Sequence, residues 1–192
     1  MDIGSILNAC TVAAPTTLLT NGMLFAGRRL ETLRTLSRER LTVQISLDSP
    51  TPERHDAHRG KGSWARALKG IECARAEGFR VRIAATVGSD EEAEEFRRFL
   101  DAHQIGEADR VIRRIALRGS ATQGIALARA DLLPEITITT EGVYWHPVGA
   151  EDADLLVTTD IFPLAASFSA VRRAFERESG HRRRLAMIFN CA

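Results

Sequence analysis

The sequence predicts an α/β protein built on a parallel sheet, followed by a smaller C-terminal part of different character. Three observations carry the prediction. β-Branched runs alternate with helix-period segments from residue 16 to residue 117, the pattern of βαβ crossovers. Polar residues gather where the apolar runs end, the edge at which parallel sheets collect function. After residue 133 the alternation gives way to a hairpin pattern.

The elements follow in order. "TTLLTNG" (16–22) is β-branched and ends in Asn-Gly, a strand running into a turn. Leu30, Leu33 and Leu36 recur at helical spacing and predict a helix over 27–39. "LTVQISLD" (41–48) is the second strand, and Ser46 and Asp48 share one of its faces because side chains alternate with a period of two. "DSPTPE" then reads as a turn, which Asp48 is placed to cap. Trp64, Leu68, Ile71 and Ala74 form one stripe of a helix over 62–77, closed by Gly78. "FRVRIAATV" (79–87) is the third strand. "SDEEAEEFRRFLDAH" (89–103) opens with capping residues and with acids in the first turn, where the helix dipole favours them. "DRVIRRIAL" (109–117) is the fourth strand. "EITITTEGVYWHPVG" (135–149) reads as two strands about a Glu-Gly turn. Leu164, Phe168, Val171 and Phe175 predict a helix within 160–179, and residues 180–192 a short helix or tail. The expected division is therefore 1–133 and 134–192.

Composition narrows the function. The 192 residues are 44% hydrophobic and 27% charged, with a formal net charge of +1. That balance gives no electrostatic case for nucleic acid or an anionic membrane. No apolar run approaches the length of a membrane span, and a reducing, cytoplasmic setting is expected. Cys10, Cys73 and Cys191 are odd in number and far apart, so spacing supports neither a disulfide framework nor a zinc site. Cys73 is expected to pack as a small buried hydrophobe.

Candidate chemistry concentrates between residues 46 and 62. Ser46 and Asp48 have the groups to bind a sugar hydroxyl or an amine. His55, Asp56, His58 and Arg59 offer either metal ligands or a solvent-facing loop with Asp56 paired to Arg59, whose fork also suits a carboxylate or phosphate. Gly60 and Gly62 flank Lys61 before a helix, but neither GxxxxGK[ST] nor GxGxxG is present. His146 reads as a structural hairpin residue. No nucleophile–base pair can be nominated, and no metal site is assigned.

The stretches "TLLTNG", "VQISLDSPTPERHDAHRGKGSWARALKGIECARAEGFRVRIAATV" and "RRIALRGSATQG" together resemble the central and later part of a radical SAM enzyme. Their order is similar to that of the third to sixth strands of the family's partial (β/α)6 barrel, and the resemblance runs over residues 3–125. "ITITTEGVYWHPVG" is similar to the hairpin that opens the C-terminal extension of many members. The resemblance implies that Ser46 and Asp48 contact the ribose of S-adenosylmethionine and that Arg59 lies near its methionine carboxylate. It also implies that Thr20 and Asn21 line the cavity and that Thr86 approaches the nucleoside.

The family's CxxxCxxC and GGEP segments do not occur in these 192 residues. The resemblance thus implies a barrel missing its first two βα units and beginning in the helix that follows GGEP. A full-length member binds a [4Fe–4S] cluster and S-adenosylmethionine and generates a 5′-deoxyadenosyl radical. Such clusters are held by thiolates, and Cys10 alone does not replace three of them. This chain by itself is expected to be inactive and to hold no cluster. Its partners are expected to be a small-molecule or peptide substrate and, at the open sheet edge, a second copy or the missing N-terminal half. The alternative is a non-catalytic ligand-binding or scaffold module that dimerises through that edge.

Overall fold

Strict alternation along residues 41–47 organises the N-terminal part of the computed structural model, which describes residues 2–118 and 121–178. Leu41, Val43, Ile45 and Leu47 are fully buried under helices, each a side chain whose burial is worth roughly 1.5–3 kcal/mol. Their strand, β2 (Leu41–Ser46), lies between β1 (Thr16–Thr20) and β3 (Arg80–Val87) and runs parallel to both. β4 (Arg110–Arg114) follows β3, giving the order β1-β2-β3-β4 with β1 at an edge. Two connections are helical crossovers: α2 (Gly27–Arg34) between β1 and β2, and α5 (Asp90–Ala102) between β3 and β4. The third, between β2 and β3, holds two helices, α3 (Pro52–Arg59) and α4 (Ser63–Ala76). An N-terminal helix, α1 (Ile3–Ala13), precedes β1 and is capped by the Asp2 carboxylate, which accepts from the Ser5 N–H.

Register sorts the strand side chains into two faces. Leu18, Val43 and Val81 align on one face, as do Thr20, Ile45 and Ile83. This face meets Leu33, Ala67, Ile71, Phe96 and Leu100. Thr17, Thr42 and Arg80 align on the other, followed by Leu19, Gln44 and Arg82, and then by Ser46 and Ala84. The crossover side is packed tightly. A Cβ on Gly70 of α4 would lie 2.1 Å from the Gly22 carbonyl oxygen, so the helix backbone sits directly on the turn that ends β1.

Three elements differ from the sequence reading. The fourth strand, expected over 109–117, ends at Arg114, and only an isolated bridge from Ala116 to Ile125 follows. The helix expected over 27–39 stops at Arg34, because the Arg38 guanidinium turns back to donate to the carbonyls of Arg34, Leu36 and Glu77. Residues 52–59, read as a turn and loop, form α3, which Pro52 starts in its first turn, where a missing N–H costs nothing. The cap of α5 is as expected: Ser89 Oγ accepts from the Glu92 N–H.

The chain divides into the units Met1–Ile112 and Arg113–Ala192. Residues 113–133 thus go with the C-terminal unit, whereas the change of sequence rhythm falls near 133. Leu127 and Leu132 join Trp145, Val143 and Leu155 in a second core, and the Trp145 Nε1–H donates to the Leu132 carbonyl at 2.9 Å. The expected hairpin, β5 (Thr137–Ile138) and β6 (Val143–Tyr144), is joined by a third antiparallel strand, β7 (Leu156–Thr158). α6 (Leu164–Glu178) lays Val171 and Ala174 on this core. The tail expected at 180–192 lies outside the described residues. Among those described, no helix is long and apolar enough to cross a membrane.

Candidate functional site

Of the six residues that the resemblance assigns to the cofactor, the carboxyl ends of β1, β2 and β3 hold five, and α3 supplies the other, Arg59. Ser46 ends β2 on the face away from the helices, half-buried, and Thr86 is exposed on the same face of β3. Thr20 does not join them. It shares its face with Ile45, and its Oγ1 accepts from the Gly22 N–H to close the turn. Asn21 follows, half-buried, with its Oδ1 accepting from the Met23 N–H. The Thr-Asn-Gly turn therefore uses both polar side chains to shape itself.

The segment after β2 resolves the cluster of His, Asp and Arg into separate tasks. Asp48 does not cap the following turn. That is done by Ser49, 4% exposed, whose Oγ accepts from the Thr51 N–H at 3.1 Å. Asp48 instead binds Arg59 in a fork, Nε to Oδ2 and Nη2 to Oδ1, the second at 3.2 Å. The pairing of Asp56 with Arg59 expected from sequence is thus replaced by an Asp48–Arg59 pair. Asp56 caps α4 from α3: it accepts from the N–H groups of Gly62 and Trp64 and from the Ser63 hydroxyl. Those bonds, led by the one from the Trp64 N–H, hold its carboxyl below the ordinary carboxylate range.

His55 was offered as a metal ligand; it is 1% exposed and fastens the strand end from within. Its Nδ1 accepts from the Asp48 N–H at 3.2 Å, and its Nε2 is buried without a partner. Burial, the largest cause, pushes its pKa below the ordinary histidine value. Among the described residues, no group of three or more His, Cys, Asp or Glu is placed to hold a metal ion. The glycine loop likewise presents little to a phosphate, since the Gly60 and Gly62 N–H groups are given to the Asp56 carbonyl and carboxylate. Sequence reasoning missed the two fasteners, His55 and Asp56. The available signal was their spacing: one turn of helix after a proline brings His55 to the end of β2 and Asp56 to the start of α4.

Elsewhere, His146 is fully buried, with Nδ1 accepting from the Val148 N–H at 3.0 Å, a structural role. Arg118, just beyond the fourth predicted strand, is a clasp within the C-terminal unit that binds the Leu127 carbonyl, Asp152 and Asp154. Cys73 is half-buried rather than buried, with its Sγ 3.8 Å from the Phe25 carbonyl. Cys10 is exposed on α1, and Cys191 lies outside the described residues. An iron–sulfur cubane needs three thiolates at one place, and Cys10 and Cys73 on separate helices do not fit that requirement.

Comparison with known proteins bears on this arrangement. A model of the radical SAM superfamily matches residues 2–102. The antilisterial bacteriocin subtilosin biosynthesis protein AlbA of Bacillus subtilis (strain 168) is 44% identical over 71 residues, which is 36% of this chain and 16% of AlbA. A solved chain of native anSMEcpe with bound AdoMet is 16% identical with a TM-score of 0.42, over 57% of this chain and 31% of that one. Native anSMEcpe with bound AdoMet and a Kp18Cys peptide gives 17% and 0.41, over 52% and 27%. This chain spans less than a third of the length of each of these relatives. With the family model covering more than half of its residues, the chain belongs to the radical SAM superfamily.

Proposed function

We propose that this chain is the S-adenosylmethionine-binding portion of a radical SAM catalytic barrel, and that the iron–sulfur cluster is held by cysteines outside these 192 residues. The observation that carries the reading is the strand-end set within the family-matched segment: Ser46 and Thr86 on the open face, and Arg59 beside Asp48. Hydroxyls at adjacent parallel strand ends suit ribose hydroxyls, and a guanidinium suits a carboxylate. Asn21 borders the set from β1, and Thr20 acts through the turn rather than as a wall of the cavity.

In the family, the cluster supplies the electron that cleaves the cofactor. The thiols described here do not fit it, so no step of that chemistry is assigned to this chain. Alone it binds the cofactor and is inactive. Its activity depends on a cluster-bearing segment, which the free edge of β1 would receive through strand addition. The reacting substrate is a small molecule or a peptide, and the expected setting is the cytoplasm.

Calorimetry with S-adenosylmethionine tests the proposal. The chain binds with measurable heat, and Ser46→Leu, which puts a branched apolar side chain where the ribose sits, weakens binding at least about tenfold. Absence of binding by a folded, monodisperse chain overturns it.

A further inference from the structure

We infer that Asp48 is a positioning residue for Arg59, holding one edge of the guanidinium so that the other edge receives the amino-acid carboxylate of the cofactor. The inference rests on the cofactor-binding reading above and goes beyond it, because it moves Asp48 from the ribose to the arginine. A guanidinium has five N–H donors arranged along two usable edges. Asp48 occupies the Nε–Nη2 edge with both of its carboxylate oxygens. The Nη1 donors have no partner among the described residues, and with the second Nη2 donor they form the other fork. The arginine side chain is 33% exposed and the aspartate 19%, so the pair is partly open to solvent and within reach of a ligand.

Asp48 is itself fixed. Its N–H donates to Nδ1 of His55, which is buried in the core below it. The chain of fixation therefore runs from core to His55, to the Asp48 backbone, to the Asp48 carboxylate and on to Arg59. An arginine at the end of a short helix otherwise gives up several free rotors when it binds. Held by a fork, it presents two parallel donors without that loss, which is the pre-organisation that bidentate carboxylate recognition rewards. The negative charge of Asp48 opposes a ligand carboxylate, but at a partly exposed site water and salt screen that repulsion.

Three ligands separate this role from a structural one. S-adenosylmethionine and S-adenosylhomocysteine carry the amino-acid carboxylate, and 5′-methylthioadenosine does not. Calorimetry on the whole chain is expected to show Asp48→Ala weakening the first two about three- to tenfold and leaving methylthioadenosine unchanged. Arg59→Lys, which keeps the charge and loses the fork, is expected to match it. Equal loss for all three ligands shows that Asp48 merely maintains the strand end and overturns the inference while the cofactor reading stands. Unchanged or tighter S-adenosylmethionine binding by Asp48→Ala overturns it too. If the unsubstituted chain binds none of the three, both readings fall together.

Discussion

The end of β2 and the edge of β1 make opposite use of their residues. At β2 almost every polar group is taken by another within the next sixteen residues: His55 by the Asp48 N–H, Asp48 by Arg59, Ser49 by Thr51, Asp56 by the start of α4. At β1 the turn closes on itself, but among the described residues the strand has a neighbour on one side only. Leu19 is 63% exposed, and Ile3, Leu7, Leu18 and Phe25 line an apolar groove beside it. The polar cluster that looks reactive in the sequence is largely internal fastening, whereas exposed apolar surface lies along the unremarkable strand β1. Exposed strand edges of this kind invite further pairing.

The largest expected effect comes from the contact that joins the two regions. Gly70→Val drives a side chain into the Gly22 carbonyl, a clash with backbone that no rotamer relieves, and exceeds the roughly 1–3 kcal/mol usual for overpacking. Circular dichroism and urea titration should show loss of a cooperative transition. Next comes His55→Ala, which leaves the Asp48 N–H unpaired and opens a cavity in the core. A loss of about 3 kcal/mol in urea unfolding is expected.

His55 also carries a pH signature. Its folded pKa lies below 6.5, so the unfolded chain binds the proton more readily. Its contribution is complete above about pH 6.5 and is lost as pH falls towards the lower folded value. His55→Asn, which keeps an acceptor for the Asp48 N–H without titrating in this range, should flatten the urea midpoint between pH 6.5 and 5. A slope identical to that of the unsubstituted chain would remove His55 from the fastening account.

Asp56→Asn should lower the midpoint by less than His55→Ala at neutral pH. The Asp56 pKa is held below 3.8, so its contribution is present above that value and disappears as pH drops through the folded value. The two chains should converge in acid. The smallest effect tests the other half of the comparison. Leu19→Glu on a free edge should change stability by no more than about 0.5 kcal/mol, and a much larger loss would mean that the edge is occupied by self-association.

The parallel sheet was legible because β2 and β3 carry an apolar residue at every second position and the α5 cap is explicit in Ser89 and its following acids. α3 was not legible. It has eight residues, and its helical period is masked by the prolines at 50 and 52, only the second of which lies in it, and by its many charged residues. The pairing of Asp48 with Arg59 was equally hidden, since it depends on the turn between β2 and α3 bringing together residues eleven apart. Which face Thr20 takes follows from register with Ile45, a property of two strands that neither strand announces alone.

Anaerobic reconstitution with iron and sulfide, followed by metal analysis and absorption spectroscopy, addresses the division between cofactor pocket and cluster most directly. The folded chain should retain far less than one cluster per molecule while still giving heat with S-adenosylmethionine. A brown protein with about four irons per chain and the charge-transfer bands of a thiolate-bound cubane would contradict it.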